Sequence, residues 1–257
     1  VKGSEIAYVF QDPMTSLNPT LRIGRQVIEG IRAHQRIGRG EARERAIALL
    51  KNAGIPEPAK RMEQYPHELS GGMRQRVMIA IAIAMHPRLM IADEPTTALD
   101  VTIQSQILGT LKALNRETGM ALILITHDMG IVASMASRVL VMYGGRIVES
   151  GNALEIFEDA RHPYTRALLA AVPRLDVDTG APLEFIVGSP PDMIEPPKGC
   201  PFAPRCRYSM KVCHEHMPPL SRHSDTHGAR CFLSEPGAAP ACARFKRDYA
   251  AETEGRA

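Results

Sequence analysis

Two adjacent carboxylates end an apolar run in the segment LMIADEPTTALD, residues 89–100. Asp93 and Glu94 follow four apolar residues, the continuous apolar pattern that a buried parallel strand shows. In open α/β sheets, ligands bind beyond the carboxyl ends of such strands. Two acidic side chains at that place suit magnesium binding and water chemistry on a phosphate. The pair therefore predicts one half of a nucleotide site.

The other half of such a site, a phosphate-binding loop, is not found in the 257 residues. The usual loop reads G-x-x-x-x-G-K-S/T, and no stretch of the chain matches it. The chain starts at Val1 rather than at a methionine and enters a strand-like run, IAYVF, almost at once. We therefore expect that the sequence starts inside a domain.

A second segment with an unusual pattern is ELSGGMRQRVMIAIAIAM. Ser70 is a favourable N-cap, and the run after it is apolar on nearly all faces, which predicts a buried helix. Gly71 and Gly72 in the first turn weaken such a helix by about 1 kcal/mol each. Arg74 and Arg76 stand near the positive end of the helix dipole, where cations are disfavoured. Bare backbone beside guanidinium groups favours a bound anion, and the alternative is a tolerated glycine turn before a core helix.

The elements that would position these residues follow an alternating pattern. Residues 12–69 carry helical patches such as EARERAIALLKNAG, an amphipathic helix that should end at Gly54. Residues 70–150 alternate helix-like segments with the strand candidates RLMIAD, ALILIT, SRVLVMY and GRIVESG, the last two joined by a turn at Gly144 and Gly145. This alternation predicts an α/β fold with a mainly parallel sheet. Residues 173–219 hold ten of the twenty prolines and predict a loop-rich extension.

Composition excludes some classes of protein. The net charge of +3 gives no strong basic field, so we predict no nucleic-acid partner. The longest apolar run, VMIAIAIAM, is far shorter than a membrane-spanning helix requires. No secretory signal opens the chain, and its length suits one large or two small domains.

Five segments together resemble the ATPase subunits of ABC transporters. They are LSGGMRQR at 69–76, LMIADEP at 89–95, ALD at 98–100, His127 in LITHDM and Gln11 in VFQDP. They stand in the family's order. The resemblance implies a P-loop NTPase-type (RecA-like) fold, α/β with a mainly parallel sheet, an α-helical subdomain and a Pro/Cys-rich C-terminal extension.

The same resemblance implies a division into domains. Residues 1–155 would form a partial nucleotide-binding domain, with residues 12–69 as the helical subdomain that transmits closure to a transporter. The family's phosphate loop precedes the Gln11 segment, so it would lie upstream of Val1, and residues 1–257 alone are predicted to be inactive towards ATP. Residues 156–257 would form the extension. In this family two ATPase subunits share their ATP sites, so the LSGG segment of one chain faces the phosphate loop of its partner.

The resemblance also implies roles for individual residues around ATP. Asp93 would hold Mg²⁺ and Glu94 would be the general base for the attacking water. We expect repulsion between these carboxylates to help keep one of them receptive to a proton. His127 would contact the γ-phosphate, and Gln11 would sense Mg²⁺ and the water. The residues implied to act across the dimer interface are Asp100, which crosses it, and Ser70, Gly71 and Gly72, which clasp the γ-phosphate held by the other subunit.

The segment HPYTRALLAAVP, residues 162–173, narrows the resemblance to the oligopeptide, dipeptide and nickel importers. It implies an ATPase subunit at the cytoplasmic face of the inner membrane that powers import of oligopeptides or dipeptides, with nickel as an alternative cargo. The implied partners are a second ATPase subunit, identical or paralogous, two transmembrane permease subunits and, indirectly, an extracytoplasmic solute-binding protein.

Four cysteines in the extension suggest a bound metal. Cys200, Cys206, Cys213 and Cys231 are separated by five, six and seventeen residues. ATP chemistry implies the cytoplasm, where lasting disulfides are rare. Four thiols in a segment with little apolar content favour a metal that staples it. Zinc and unliganded thiols stay open, whereas the family's tails imply one [4Fe–4S] cluster on these four thiolates. Cys242 lies outside the pattern and is expected to be a free thiol.

Two other classes of function stay open. A soluble ABC ATPase of DNA repair or translation would share the core motifs, but it should add a long coiled-coil insertion or a second cassette, and the chain shows neither. A non-hydrolysing structural or redox subunit is the other alternative. The presence of Glu94, His127 and the LSGG segment argues against such a degenerate subunit.

Overall fold

The computed structural model describes residues 3–97, 99–172 and 186–254, with backbone alone at residue 14 and residues 249–254. Three residues used in the sequence analysis lie outside the described residues: Val1, Ala98 of the ALD segment and Pro173 at the start of the proline-rich segment 173–219. The chain forms two compact units, Val1–His127 and Asp128–Ala257. The division after residue 155 stays a prediction, because it concerns the boundary of a family domain rather than a compact unit.

The first unit contains a parallel sheet of three strands in the order β1-β2-β3. The strands are β1 (Ile6–Val9), β2 (Leu89–Asp93) and β3 (Ala121–Ile125). All three lie within the predicted strand segments. Tyr8 is registered with Ile91, and Asp93 is registered with Ile125, so both sit towards the carboxyl end of the sheet.

Helices pack against one face of this sheet, and the other face is open. The inner face carries fully buried side chains such as Val9, Met90 and Ala92. On the opposite face Ile123 and Ile125 are 49% and 44% exposed. The apolar run at β2 predicts a strand buried on both sides, and the described residues cover it on one side only.

The helices of the first unit are α1 (Pro13–Ser16), α2 (Ile23–Arg32), α3 (Arg39–Asn52), α4 (Pro58–Arg61), α5 (Gly71–Ile83) and α6 (Val101–Thr118). Apolar side chains at helical spacing form their shared core, for example Ala42, Ala46 and Leu50 on α3. Gly54, with a φ of +78°, follows the end of α3. The predicted helix and its glycine stop are therefore confirmed.

The second unit contains an antiparallel sheet in the order β4-β5-β7-β6. Its strands are β4 (Arg138–Tyr143), β5 (Arg146–Asn152), β6 (Ser221–Arg222) and β7 (Gly228–Ala229). The sequence placed β4 and β5 correctly but assigned them to a mainly parallel sheet, which is wrong for this pair. Gly144 and Gly145 both have positive φ, at +51° and +68°, and such a two-residue turn joins antiparallel strands.

The helices of the second unit are short until the last one. They are α7 (Met129–Met135), α8 (Ala153–Glu158), α9 (Pro163–Ala170), α10 (Lys211–Glu215) and α11 (Ala239–Glu254). Within residues 186–219 α10 is the one α-helix described and no strand is described there, which confirms the loop-rich prediction for that part. None of the helices in the described ranges is long and apolar enough to cross a membrane.

Candidate active site

Glu94 stands at the first position after β2, in a strained backbone conformation. Its φ is +42°, in the left-handed region that residues other than glycine rarely adopt. Its backbone N–H donates to the carbonyl of Ile125 at 2.9 Å, which ties this turn to β3. Such a conformation costs on the order of 1–3 kcal/mol and persists where the surroundings enforce it, as at many active sites.

Three side chains hold the carboxylate of Glu94. Gln11 Nε2 and Thr97 Oγ1 each donate to Oε2 at 2.8 Å. His127 Nδ1 lies 2.9 Å from Oε1. The structure thus brings together Gln11, Glu94 and His127, three residues that the sequence assigned to one site, although they are up to 116 positions apart (127 − 11). The side chain of Glu94 remains 24% exposed and that of His127 76% exposed.

Hydrogen bonding lowers the pKa of Glu94. The bond with His127 is the largest cause and the bond from Thr97 is the next, while burial acts in the opposite direction. The expectation that repulsion from Asp93 helps keep one carboxylate receptive to a proton is therefore wrong for Glu94. Donors to its oxygens favour the charged form, and Asp93 is not among the causes of the shift.

Asp93, the last residue of β2, has a partner that the sequence analysis missed. Tyr8 Oη donates to Asp93 Oδ2 at 2.7 Å, and this bond is the main cause that raises the pKa of Tyr8. Thr97 was missed as well. Its position three residues after Glu94, within the quoted segment, was a signal, whereas the contact of Tyr8 depends on the pairing of β1 with β2.

The start of α5 holds the predicted LSGG residues. The N–H of Met73 donates to Ser70 Oγ at 3.4 Å, which confirms Ser70 as the N-cap. A Cβ at Gly72 would collide with Cγ2 of Ile103 on α6, and one at Gly71 would lie 3.4 Å from Leu99. Gly72 is therefore required by the close packing of α5 on α6, whether or not an anion binds there.

The guanidinium groups of this helix have neighbours different from those expected. Arg74 Nε donates to the carbonyl of Pro66 at 2.7 Å, and Arg76 Nη1 donates to that of Ala53 at 2.9 Å. Burial lowers the pKa of Arg76. The expectation that both accompany a docked anion stays a prediction, and the structure gives one donor of each arginine a backbone carbonyl as its partner.

Asp100 lies at the N-cap of α6 without a side-chain capping bond. It is exposed, as are Ser70 and Gly71. No hydrogen bond described in the structure joins Asp100 or Ser70 to Glu94. The predicted site residues therefore form one group around Glu94, and further residues at the starts of α5 and α6.

The four predicted cysteine ligands line one small cavity of about 20 Å³ in the second unit. The backbone N–H of Cys200 donates to the carbonyl of Cys213 at 2.7 Å, so two of the loops that carry them are joined. Burial raises the pKa of Cys200 and that of Cys231, and raises that of Cys206 to about 12. Without a metal these three thiols are neutral at pH 7.

The sulfur atoms do not converge on a metal site. In the part of the chain that the structure describes, no group of three or more His, Cys, Asp or Glu side chains is arranged to hold a metal ion. A cavity of about 20 Å³ has room for little more than one water molecule. The four cysteines share a cavity without the arrangement of a metal site, so the iron–sulfur cluster on Cys200, Cys206, Cys213 and Cys231 stays a prediction that the structure does not support.

Two family models match this chain. The model described as "ABC transporter" matches residues 2–97, which include Gln11, Ser70, Asp93 and Glu94. The model described as "Oligopeptide/dipeptide transporter, C-terminal region" matches residues 148–213. Both agree with the resemblances found in the sequence.

Curated relatives resemble most of the chain. It is 53% identical over 238 residues to the oligopeptide transport ATP-binding protein OppD of Bacillus subtilis, covering 93% of this chain and 66% of that protein. It is 50% identical over 235 residues to the dipeptide transport ATP-binding protein DppD of the same organism, covering 91% of this chain and 70% of that protein. OppD of Salmonella typhimurium is 50% identical, with coverages of 90% and 69%. The chain thus spans about two thirds of the length of these relatives.

Solved structures match the fold. The dimeric structure of MJ0796, a bacterial ABC transporter cassette, has 33% sequence identity and a TM-score of 0.53, covering 59% of this chain and 64% of that chain. The structure of cbiO1 from Clostridium perfringens, part of the ABC transporter complex cbiONQ, has 34% identity and a TM-score of 0.54, with coverages of 61% and 60%. The predicted fold class is confirmed by these similarities.

Proposed function

Since the chain belongs to the family of ABC-transporter ATP-binding subunits of oligopeptide and dipeptide importers, we propose that it is part of the ATP-hydrolysing subunit that powers such import. The observation that carries this proposal is the arrangement around Glu94. Gln11, Thr97 and His127 hold its carboxylate at the carboxyl end of a parallel strand. That is where ligands of α/β sheets bind.

Glu94 is suited to be the general base for an attacking water. Its carboxylate can accept a proton from water, and the hydrogen bonds that lower its pKa make it a weaker base than a free glutamate. Its neighbours fix the direction of its oxygens, and phosphoryl transfer depends mainly on such positioning. Asp93 would hold Mg²⁺, which neutralises charge on the phosphates when bound.

The open face of the β1-β2-β3 sheet supports a phosphate-binding segment from outside the 257 residues. Ile6, Tyr8, Ile123 and Ile125 lie on this face and are between 38% and 49% exposed. The chain contains no phosphate-loop sequence, and the relatives are longer. We propose that the segment with this loop packs its helix on the open face in the full-length protein.

The remaining site residues support a shared ATP site. Ser70, Gly71 and Asp100 are exposed at the starts of α5 and α6, where a second chain can reach them. We propose that they, with Gly72, meet ATP held by a second ATPase subunit. Two permeases and a solute-binding protein would complete the importer, with this subunit at the cytoplasmic face of the inner membrane.

The proposal is tested with the full-length chain and its Glu94→Gln variant. The wild type should hydrolyse ATP and support uptake of a labelled peptide in a strain that lacks the gene. The variant should bind ATP, lose roughly 10²–10⁴-fold in hydrolysis and elute as an ATP-dependent dimer. Hydrolysis at the normal rate by the variant would contradict the role of Glu94, and uptake that does not depend on the gene would contradict the transport function.

The isolated residues 1–257 are the control for the missing loop. They should show no ATP turnover, because the groups that wrap the β- and γ-phosphates would be absent. Hydrolysis by this purified chain that is abolished by Glu94→Gln would overturn the proposed need for an added phosphate-binding segment.

We also propose that Cys200, Cys206, Cys213 and Cys231 bind a metal group, with [4Fe–4S] favoured over zinc. The support is their shared cavity in a loop-rich segment. The residues fit in donor chemistry, and a metal would draw the sulfurs closer and deprotonate them. The bound group would stabilise the loops.

Anaerobic purification with iron, sulfide and zinc analysis tests this second proposal. A brown protein with about four irons and four sulfides per chain supports the cluster. Serine at any of the four positions should abolish the colour, while Cys242→Ser should retain it. One zinc per chain would contradict the cluster and favour a zinc site. A chain that is folded without any metal would overturn both the cluster and the zinc site.

A further inference from the structure

One side chain of the LSGG helix joins three helices of the first unit. Arg76 lies on α5, six positions after Ser70. Its Nη1 donates to the carbonyl of Ala53 at 2.9 Å and lies 3.4 Å from Thr110 Oγ1, and its Nη2 donates to Gln106 Oε1 at 3.1 Å. Ala53 is the C-cap residue that follows α3, whereas Gln106 and Thr110 are on α6.

The space for this guanidinium depends on a glycine. Gly54 follows the end of α3 with a φ of +78°, and a Cβ at this position would collide with Arg76 Nη1. The contact is also electrostatically favourable, because the carbonyl end of a helix attracts cations. Gly54 thus serves both the turn and the docking of Arg76.

Arg76 supports the end of α5 that carries the proposed ATP contacts. Next to that end, Gly72 packs directly on Ile103 of α6. Tilting α5 relative to α6 would therefore separate or overlap these two residues. The fork of Arg76 resists such a tilt, because its two terminal nitrogens bind α3 and α6 at the same time.

We propose that Arg76 is a positioning residue that fixes the angle of α5 against α3 and α6. In this way it sets where Ser70, Gly71 and Gly72 meet the nucleotide of a second subunit. The inference rests on the proposed function. A lysine cannot replace the arginine, since a single ammonium group lacks the planar fork that reaches two helices.

The experiment measures ATP-dependent dimerisation of the full-length chain in the Glu94→Gln background. Arg76→Lys should raise the dimer dissociation constant at least about tenfold. That change corresponds to the loss of roughly one to two of the hydrogen bonds proposed between the LSGG residues and the partner's nucleotide. ATP binding by the single chain should be unchanged, because Arg76 supports contacts to the partner's nucleotide. Thermal unfolding of each variant shows that it is folded at the assay temperature.

A matched pair of glycine variants separates positioning from general destabilisation. Gly54→Ala and Gly119→Ala both place a side chain at a left-handed helix end, with φ of +78° and +66°. A Cβ at Gly54 displaces Arg76, whereas one at Gly119 meets nothing within 4 Å. Gly54→Ala should therefore weaken the dimer as Arg76→Lys does, and Gly119→Ala should leave the dimer intact at a similar loss of stability.

The outcomes distinguish the inference from the function on which it rests. If the Glu94→Gln protein forms no ATP-dependent dimer, the shared site and this inference both fall. If that protein dimerises and Arg76→Lys does not weaken the dimer, the function stands and the inference is overturned. Equal dimer affinities for Gly54→Ala and Gly119→Ala would also overturn it, even if Arg76→Lys failed to fold.

Discussion

Glu94 and Glu149 are two carboxylates with similar numbers of partners and opposite surroundings. Glu94 accepts hydrogen bonds from three side chains and keeps 24% of its side chain exposed. Glu149, on β5, is completely buried. It accepts from the backbone N–H groups of Arg161 and His162 at 2.6 and 3.0 Å, and His227 Nε2 lies 2.8 Å away.

The difference between these glutamates indicates what separates the proposed general base from a structural carboxylate. Side-chain donors at an open site can yield a carboxylate oxygen to water, so Glu94 can take part in a reaction. Backbone donors in a closed site cannot withdraw without unfolding the strand or the loop, so Glu149 can only hold parts together. The number of hydrogen bonds does not distinguish them, but solvent access and the type of donor do.

The largest effect expected from this comparison is on stability. Glu149→Gln should lower the free energy of unfolding of the second unit by about 3–5 kcal/mol, because one amide oxygen cannot satisfy the three donors at a buried charged site. Glu94→Gln should change stability by less than about 1 kcal/mol. Urea unfolding of both variants measures this. Equal losses would show that the two glutamates are held in the same way.

A pH dependence next to Glu149 gives the second prediction. Burial lowers the pKa of His162 to about 4, while the charge of Glu149 opposes this shift. Above pH 6.5 His162 is neutral both in the folded protein and in the unfolded chain. As the pH falls from 6.5 to 4 the unfolded chain takes up the proton first, so the structure should lose up to about 3 kcal/mol of stability.

His162→Asn tests that origin. His162 Nδ1 accepts from the N–H of Tyr164 and caps α9, and asparagine keeps a capping oxygen without titrating. The variant should lose most of the slope of stability between pH 6.5 and 4, measured by urea unfolding at several pH values. If the slope is unchanged in the variant, the pH dependence of stability comes from titratable groups other than His162.

The smallest expected effect concerns the support of Glu94. Thr97→Val removes one donor from the carboxylate at almost constant side-chain shape. In the full-length protein kcat should fall roughly 2–10-fold, the worth of one hydrogen bond, with the KM for ATP unchanged. Thr118→Val, which changes a threonine at the far end of α6, is the control. A loss of 100-fold or more would instead give Thr97 a direct part in the reaction.

The sequence predicted those parts of the fold that depend on neighbouring residues. Strands β1 to β5 lie where apolar runs are bounded by turn residues, and the paired glycines at 144 and 145 form the expected turn. The pairing of β5 with β7 was not predictable. It joins Ser150 to Gly228 through a strand of only two residues, too short to show any periodicity.

The candidate site was predictable to the extent that its residues belong to motifs. Gln11, Glu94 and His127 were assigned together because each matched a family segment, and the structure brings them into contact. The bond of Tyr8 to Asp93 was missed, since it spans 85 residues through strand register. The true neighbours of Arg76 were missed because α3 and α6 approach α5 only in the folded unit.

The open sheet face has a practical consequence for work with this chain alone. Ile6 and Tyr8 on β1 and Ile123 and Ile125 on β3 are exposed on this face, and such apolar surfaces favour self-association in water. Preparations of residues 1–257 should therefore aggregate more as concentration rises, and light scattering should detect this earlier than any loss of helical signal. Replacing Ile123 or Ile125 by threonine, which keeps the β-branched shape, should delay aggregation without shifting the melting temperature greatly.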